Sequence, residues 1–245
     1  MTETGEIRFT VSMNLLTMET VLTLRHQTSR SGFMIHKAFL NPFDAALYHF
    51  INGFAGHNAV LDAIMIFFAK DALEIYAVLF VVAWFTLPKR DIKNRHALVV
   101  AGFAGVLALI LNVIVSHIWF RPRPFTMFHK GTFTQLVSHS SDASFPSDHA
   151  AGSAGFAAGS WGRQQKWVSY TFTVIAIIVM IARVFVGVHY PTDVIGGFII
   201  GTISGKVMWK FSRFLFPLTH FVAKLFKFGP TGKTANHNES THSSM

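Results

Sequence analysis

Residues 97–120 read ALVVAGFAGVLALILNVIVSHIWF, a run without a single Asp, Glu, Lys or Arg. A helix rises 1.5 Å per residue and a bilayer core is about 30 Å thick, so about 20 apolar residues suffice to cross it. Residues 167–182, WVSYTFTVIAIIVMIA, form a second such run. Two uncharged stretches of this kind decide for helices in a membrane over a water-soluble domain.

Composition agrees. Of 245 residues, 51% are hydrophobic and only 13% charged, and the mean hydropathy is +0.41. Soluble domains carry roughly 25% charged residues, so this chain has too little charge to coat a water-facing surface. The same figures exclude a disordered protein. Without Cys, disulfide scaffolds and zinc–thiolate sites are excluded too. The net charge of +9 is not a nucleic-acid signal, because the positive residues collect between and after apolar segments, as topology signals do. No nucleic-acid partner is predicted.

Outward from the first run, five segments are expected to span the membrane: 72–88, 97–120, 146–162, 167–188 and 193–216. The third is rich in Gly, Ala and Ser, the composition of helices packed closely inside a bundle. Residues 43–56 and 59–70 are shorter, and Asp62, Lys70 and Asp71 interrupt the second, so both are expected to lie at the interface. The predicted fold class is all-α, a polytopic membrane helix bundle of about five spanning helices plus short N-terminal interfacial helices. Residues 1–40 are expected to be a disordered N-terminal extension, with a working start near Met34 as the alternative. Residues 41–228 form the membrane-embedded domain, and 229–245 a disordered polar tail.

Lys and Arg are retained on the cytoplasmic side of short loops. Lys89, Arg90, Lys93 and Arg95, then Arg163 and Lys166, then Lys206, Lys210, Arg213, Lys224 and Lys227 fall on one side of the five spans. Trp119, Trp161, Trp167 and Trp209 stand near the proposed helix ends, where an indole prefers the interface. The opposite side receives residues 121–145 and the turn 189–192, and there three polar clusters abut the spans. Ionisable groups at membrane depth are costly and mark function.

In the first cluster, Asp193 can fold back across the turn after Arg183 and accept a hydrogen bond from one nitrogen of His189. That leaves the other nitrogen free as a nucleophile or base. A structural histidine with an N-cap aspartate is the plain alternative. In the second, Pro146-Ser-Asp-His149 opens a helix, where the Ser147 hydroxyl with the amides of Asp148 and His149 can cradle an anion; a simple cap with a surface histidine reads as well. In the third, Arg121 and Arg123 alternate with prolines and present forks suited to phosphate, or to lipid headgroups. Three such clusters on one membrane face favour a common site.

The order Arg123-Pro124, Pro146-Ser-Asp-His149 and Arg183-x5-His189-x3-Asp193 resembles the signature of the type 2 phosphatidic acid phosphatase superfamily over roughly residues 41–216. Phe120-Arg-Pro-Arg-Pro-Phe125, Ser144-Phe-Pro-Ser-Asp-His149 and Val188-His-Tyr-Pro-Thr-Asp193 resemble the bacterial undecaprenyl-diphosphate phosphatases of the bacitracin-resistance type. The resemblance implies dephosphorylation of a polyprenyl diphosphate lipid, without metal or cofactor, at the outer face of the cell (inner) membrane, recycling the cell-wall lipid carrier. It makes His189 the nucleophile that forms a phosphohistidine, Asp193 its orienter and His149 the general acid and base. Arg123, Ser147, Asp148 and Arg183 fall in the phosphate-binding motifs. The superfamily pattern has Lys where Ser116 stands, Gly at Asp148 and Ser at Ala182. Ser116, Arg121 and Lys130 are therefore the candidates for contacts to a second phosphate. Phosphatidylglycerol phosphate or phosphatidate is the alternative substrate, and a non-catalytic lipid-phosphate transporter is the alternative class. Related vanadium haloperoxidases share the constellation but lack spans such as 97–120.

Overall fold

The computed structural model describes residues 41–161 and 165–228. The expectations for residues 1–40, Arg163 and 229–245 lie outside the described residues. The chain divides into two compact units between Ala45 and Ala46. Of the first, residues 41–45 are described. There Asn41 and Asp44 form a reciprocal cap, the amide of Asp44 donating to Asn41 Oδ1 at 2.7 Å and Asn41 Nδ2 to Asp44 Oδ2 at 3.0 Å.

Regular structure among the described residues is helical throughout. The elements are α1 (Pro42–Asn52), α2 (Ala59–Lys70), α3 (Ala72–Thr86), α4 (Ile92–Ile118), the single turn α5 (Pro124–Met127), α6 (Asp148–Ser160), α7 (Lys166–Phe185) and α8 (Pro191–Lys210). A 3₁₀ turn (Ser212–Leu215) and α9 (Phe216–Leu225) follow. α4, with 27 residues, and α7, with 20, are long and apolar enough to cross a membrane, and α8 with the bent continuation through α9 makes a third span if that 72° pair counts as one. Helices occupy all five segments expected to span, but α3 has 15 residues and α6 has 13. At 1.5 Å per residue these reach only about 20 Å. Their ends were given up to loops. Leu87-Pro88 stops α3, and Phe145-Pro146, joined by a cis bond, leads into the cap of α6.

α6 is the centre of the bundle, packed against α4, α7 and α8 and buried along most of its length. Its small residues permit this. A methyl group added at Gly201 of α8 would lie 2.5 Å from the Ala151 carbonyl oxygen and 2.6 Å from the Gly155 nitrogen, so the two backbones meet with no room for a side chain. The outward faces of α4, α7 and α8 carry Val106, Ile110, Ile114, Ile177, Ile199 and Ile203, all exposed on the protein as residues meeting lipid should be. α3 is held by Tyr76, whose hydroxyl donates to the Phe172 carbonyl at 2.7 Å, and by the rings of Phe80, Phe156 and Phe172.

Arg95 is fully buried at the start of α4. Its guanidinium donates to the carbonyls of Trp84, Leu87 and Pro88 at 3.2, 2.9 and 2.7 Å. These are carbonyls at and just beyond the end of α3, which a cation satisfies well. At the other end, Asn52 donates to the carbonyls of Thr134 and Phe185 at 2.7 and 2.8 Å and accepts from the Thr134 amide at 2.8 Å. The long loop after α5 is thereby pinned to the end of α7, beside the three motifs.

Candidate active site

The motifs meet because their loops share backbone hydrogen bonds. The Ser144 amide donates to the Arg121 carbonyl at 2.7 Å, and the Ser147 amide to the Asp193 carbonyl at 3.0 Å. From α4, Asn112 Nδ2 donates to the Pro146 carbonyl at 3.1 Å. Segments far apart in sequence are thus fastened into one floor.

His189, in the turn between α7 and α8, is 1% exposed. Its Nδ1 lies 2.9 Å from the Ser144 carbonyl oxygen. A carbonyl only accepts, so Nδ1 carries the proton and Nε2 holds the lone pair. Arg123 Nη1 and Arg183 Nη2 each stand 3.2 Å from Nε2. A nucleophilic nitrogen therefore faces two guanidiniums, the surroundings a phosphoryl group needs. Burial first, and then the two arginines, lower the His189 pKa to about 4 against the opposing pull of Asp193. The imidazole is neutral at pH 7.

Both arginines are held rigidly. Arg123 donates from Nε to Asp142 at 2.8 Å, from Nη1 to the Val188 carbonyl at 3.1 Å and from Nη2 to the Ala143 carbonyl at 3.2 Å. Arg183 donates from Nη1 to the Ala69 carbonyl at the end of α2, at 2.8 Å.

Asp193 stands beside His189, but its Oδ2 is 3.6 Å from Nδ1, farther than the Ser144 carbonyl. The expected direct hydrogen bond is thus replaced by a backbone one, with the carboxylate a charge at short range. Asp193 accepts instead from the Tyr190 amide at 2.8 Å, the Ser144 hydroxyl at 2.5 Å and Arg121 Nη1 at 2.6 Å. Arg121 also reaches Thr192 at 2.8 Å and lies 4.0 Å above the Tyr190 ring. It is engaged in building the turn rather than offered to a second phosphate.

His149 opens α6 with Nδ1 2.9 Å from Asp148 Oδ1. The carboxylate accepts that proton and turns Nε2 outward. It also accepts from the His149 amide at 2.8 Å. Asp148, expected among phosphate-binding residues, is thus a partner of His149, and it occupies an amide expected to cradle the anion. Ser147 is fully buried and caps the helix, accepting from the Ala150 amide at 3.5 Å. Asp148 and His149 line a cavity of about 310 Å³ together with Lys70, Glu74, Tyr76 and Ser153. Leu73, Tyr76 and Phe156 belong both to this cavity and to an apolar groove of about 560 Å³ that continues past Phe80, Trp84 and Val106.

The other two second-phosphate candidates stand apart. The Ser116 hydroxyl donates to the Val113 carbonyl of its own helix at 2.9 Å, and Lys130 is exposed on the loop after α5, away from the cavity wall. Three residues that the sequence did not assign to the site join it instead. Asp142, itself exposed, aims Arg123, its carboxyl held below the usual carboxylate range by the hydrogen bonds from Arg123 and Ser140. His139 has its ring centroid 6.3 Å from that of His189, its pKa lowered by burial and then by Arg123 and Arg183. Lys70 lines the same cavity as His149. For Asp142 the available signal was its place two residues before Ser144. Lys70 had only an interrupted apolar segment to mark it. Among the described residues no cluster of three or more His, Asp or Glu is placed to hold a metal ion.

The model of the PAP2 superfamily matches residues 97–217. Undecaprenyl-diphosphatase BcrC of Bacillus subtilis is 30% identical over 181 residues, 74% of this chain and 90% of that protein. An undecaprenyl-diphosphatase of Sulfolobus acidocaldarius is 31% identical over 160 residues, 65% of this chain and 74% of the relative. Among solved structures, Aquifex aeolicus LpxE superposes with a TM-score of 0.56 at 22% identity, covering 70% of this chain and 98% of that one, a likeness of fold. The chain belongs to the PAP2 superfamily: a phosphatase by family, and a multi-pass membrane protein by its helices.

Proposed function

We propose that this PAP2 phosphatase hydrolyses a polyprenyl diphosphate, undecaprenyl diphosphate above all, to the lipid monophosphate and inorganic phosphate at the outer face of the cell membrane. The observation that carries the reading is His189: buried, neutral, with its tautomer set by the Ser144 carbonyl and its Nε2 lone pair between two fixed guanidiniums. The names and extents of the two undecaprenyl-diphosphatase relatives support the substrate. The apolar groove continuing from the His149 cavity supports a long hydrocarbon tail.

In the first step Nε2 of His189 attacks the terminal phosphorus. The bond from that phosphorus to the bridging oxygen breaks, and the bridging oxygen leaves on the lipid monophosphate, taking a proton from His149 when it needs one. The N–H groups of Arg123 and Arg183 that face the imidazole lone pair then face the equatorial oxygens, without either guanidinium leaving its place. Charge neutralisation and position are what phosphoryl transfer requires. Asp193 and the Ser144 carbonyl stabilise the charge that develops on the imidazole ring. In the second step His149 removes a proton from water, the hydroxide attacks the phosphohistidine, and phosphate departs. Asp148 accepts from Nδ1 in both forms of His149, so that Nε2 carries the proton given up in the first step and the lone pair that takes one from water in the second.

The test is phosphate release in detergent from C55 isoprenyl diphosphate, phosphatidylglycerol phosphate and phosphatidate, each with and without EDTA. Turnover that is fastest on the isoprenyl diphosphate and persists in EDTA is expected, because arginines rather than a metal ion meet the phosphate charge. A clear preference for either glycerolipid sinks the substrate assignment, and a loss restored by magnesium sinks the mechanism.

A further inference from the structure

We propose that Lys70 binds the second, lipid-attached phosphate and so makes the site select diphosphates over monophosphates. The proposal rests on the lipid-diphosphate reading above and names the residue that enforces it.

Its first ground is placement. α2 ends at Lys70, and the preceding residue, Ala69, is fully buried with its carbonyl accepting from Arg183 Nη1 at 2.8 Å. The other terminal nitrogen of the same guanidinium stands 3.2 Å from His189 Nε2. The joint between α2 and α3 is therefore tied to the reacting centre through one rigid side chain, and Lys70 follows the tie directly.

The second ground is availability. Lys70 is exposed, lines the cavity shared by Asp148 and His149, and among the described residues has no ion-pair or hydrogen-bond partner. Arg121 and Arg123, by contrast, are bound to Asp193 and Asp142. Arg95 is buried against the carbonyls at the end of α3.

The third ground is charge. A phosphate group carries about −1.5 to −2 at pH 7, and in-line transfer sets the leaving group on the side of phosphorus away from His189. With Arg123 and Arg183 committed to the transferred phosphoryl, a second phosphate would enter the cavity of His149, whose walls carry the carboxylates of Asp148 and Glu74. Two anions repel a third unless a cation stands among them. Lys70 is the cation on that wall, a compact ammonium on a stem long enough to follow the leaving phosphate.

The inference is tested with wild-type, Lys70→Ala and Lys70→Arg proteins in detergent, on farnesyl diphosphate and farnesyl monophosphate, with phosphate release as the readout and thermal unfolding as the control for folding. Loss of a charge-assisted hydrogen bond should lower kcat/KM of Lys70→Ala on the diphosphate about tenfold or more, mainly through KM. On the monophosphate the change should stay within about twofold, and Lys70→Arg should retain most of the preference. Equal losses on both substrates, or none on either, overturn the role of Lys70. Wild-type protein that cleaves the monophosphate and ignores the diphosphate overturns the parent reading, and this proposal with it.

Discussion

At the scale of single residues, the two histidines differ in what they touch, and the difference can be measured. A diphosphate leaves as a phosphate whose own proton titrates near pH 6, whereas a monoester must release an alkoxide, the anion of a far weaker acid. His149 is therefore needed less to expel the diphosphate's leaving group than to activate water afterwards. His149→Ala should slow turnover about 10²- to 10⁴-fold. With a diphosphate labelled on its terminal phosphate it should accumulate label on the protein, and His189→Ala should take up none; label retained by His189→Ala would remove His189 as nucleophile. A second measurement concerns stability. The unfolded chain protonates His189 near pH 6.5 and the folded chain only near 4, so the folded state binds fewer protons between those values. The stability tied to His189 is present above pH 6.5 and is lost as pH falls towards 4. The thermal midpoint of wild type should drop over this window more steeply than that of His189→Gln, and parallel slopes would contradict the buried, neutral imidazole. Sequence spacing brought His189, Asp193, Arg123 and Arg183 to one place. It could not foretell that a backbone carbonyl, not Asp193, would hold Nδ1, because that bond joins residues 45 apart. Nor could it separate Asp148 as a partner of His149 from Asp148 as a phosphate neighbour, which depends on a rotamer.

At the scale of elements, hydropathy located the helices and misjudged their lengths where polar work intrudes. α4 and α7 hold the two long uncharged runs, and their membrane character was readable directly. α3 and α6 stop short because Pro88 and Pro146 end or precede them and because the cap of α6 belongs to the site. The small-residue content of α6 did announce its interior position, and its consequence is testable. Gly201→Ala sets a methyl group against the backbone of Ala151 and Gly155, and neither neighbour can yield as a side chain would. Overpacking of this kind costs about 1–3 kcal/mol, which should appear as a lower midpoint in detergent unfolding together with reduced activity, since α8 starts at the site it would displace. Ile203→Ala, two residues along on the exposed face, should cost under about 1 kcal/mol. Equal effects would mean that the close approach of α6 and α8 is not what holds the bundle. The place of Asp142 and Lys70 in the site was not legible in the sequence for a reason of the same scale. Each reaches the site only through the packing of another element, Asp142 by the loop that Arg123 crosses and Lys70 by the end of α2 that Arg183 fastens.

At the scale of the whole molecule, charge is divided between the two ends of the long helices. Lys89, Arg90 and Lys93 are exposed where α4 begins, and Lys206, Lys210 and Arg213 are exposed near the end of α8. The arginines at the opposite end are buried against Asp193 and Asp142, so they add little free positive charge there. Exposed Lys and Arg on short loops stay in the cytoplasm, so the proposed outer-face site expects the α3–α4 loop inside. A site so placed would meet a diphosphate lipid in the outer leaflet, its phosphates at headgroup depth and its tail along the groove past Phe80 and Trp84. The chain has no native Cys, so single-cysteine variants report position without background. Lys130→Cys, exposed on the loop beyond α5, and Lys89→Cys, exposed before α4, mark the two ends. In intact cells an impermeant maleimide should label the first and leave the second untouched until the membrane is lysed. The opposite pattern would turn the site towards the cytoplasm, where His189 would face lipids of the inner leaflet and the spent outer-leaflet carrier would be out of its reach.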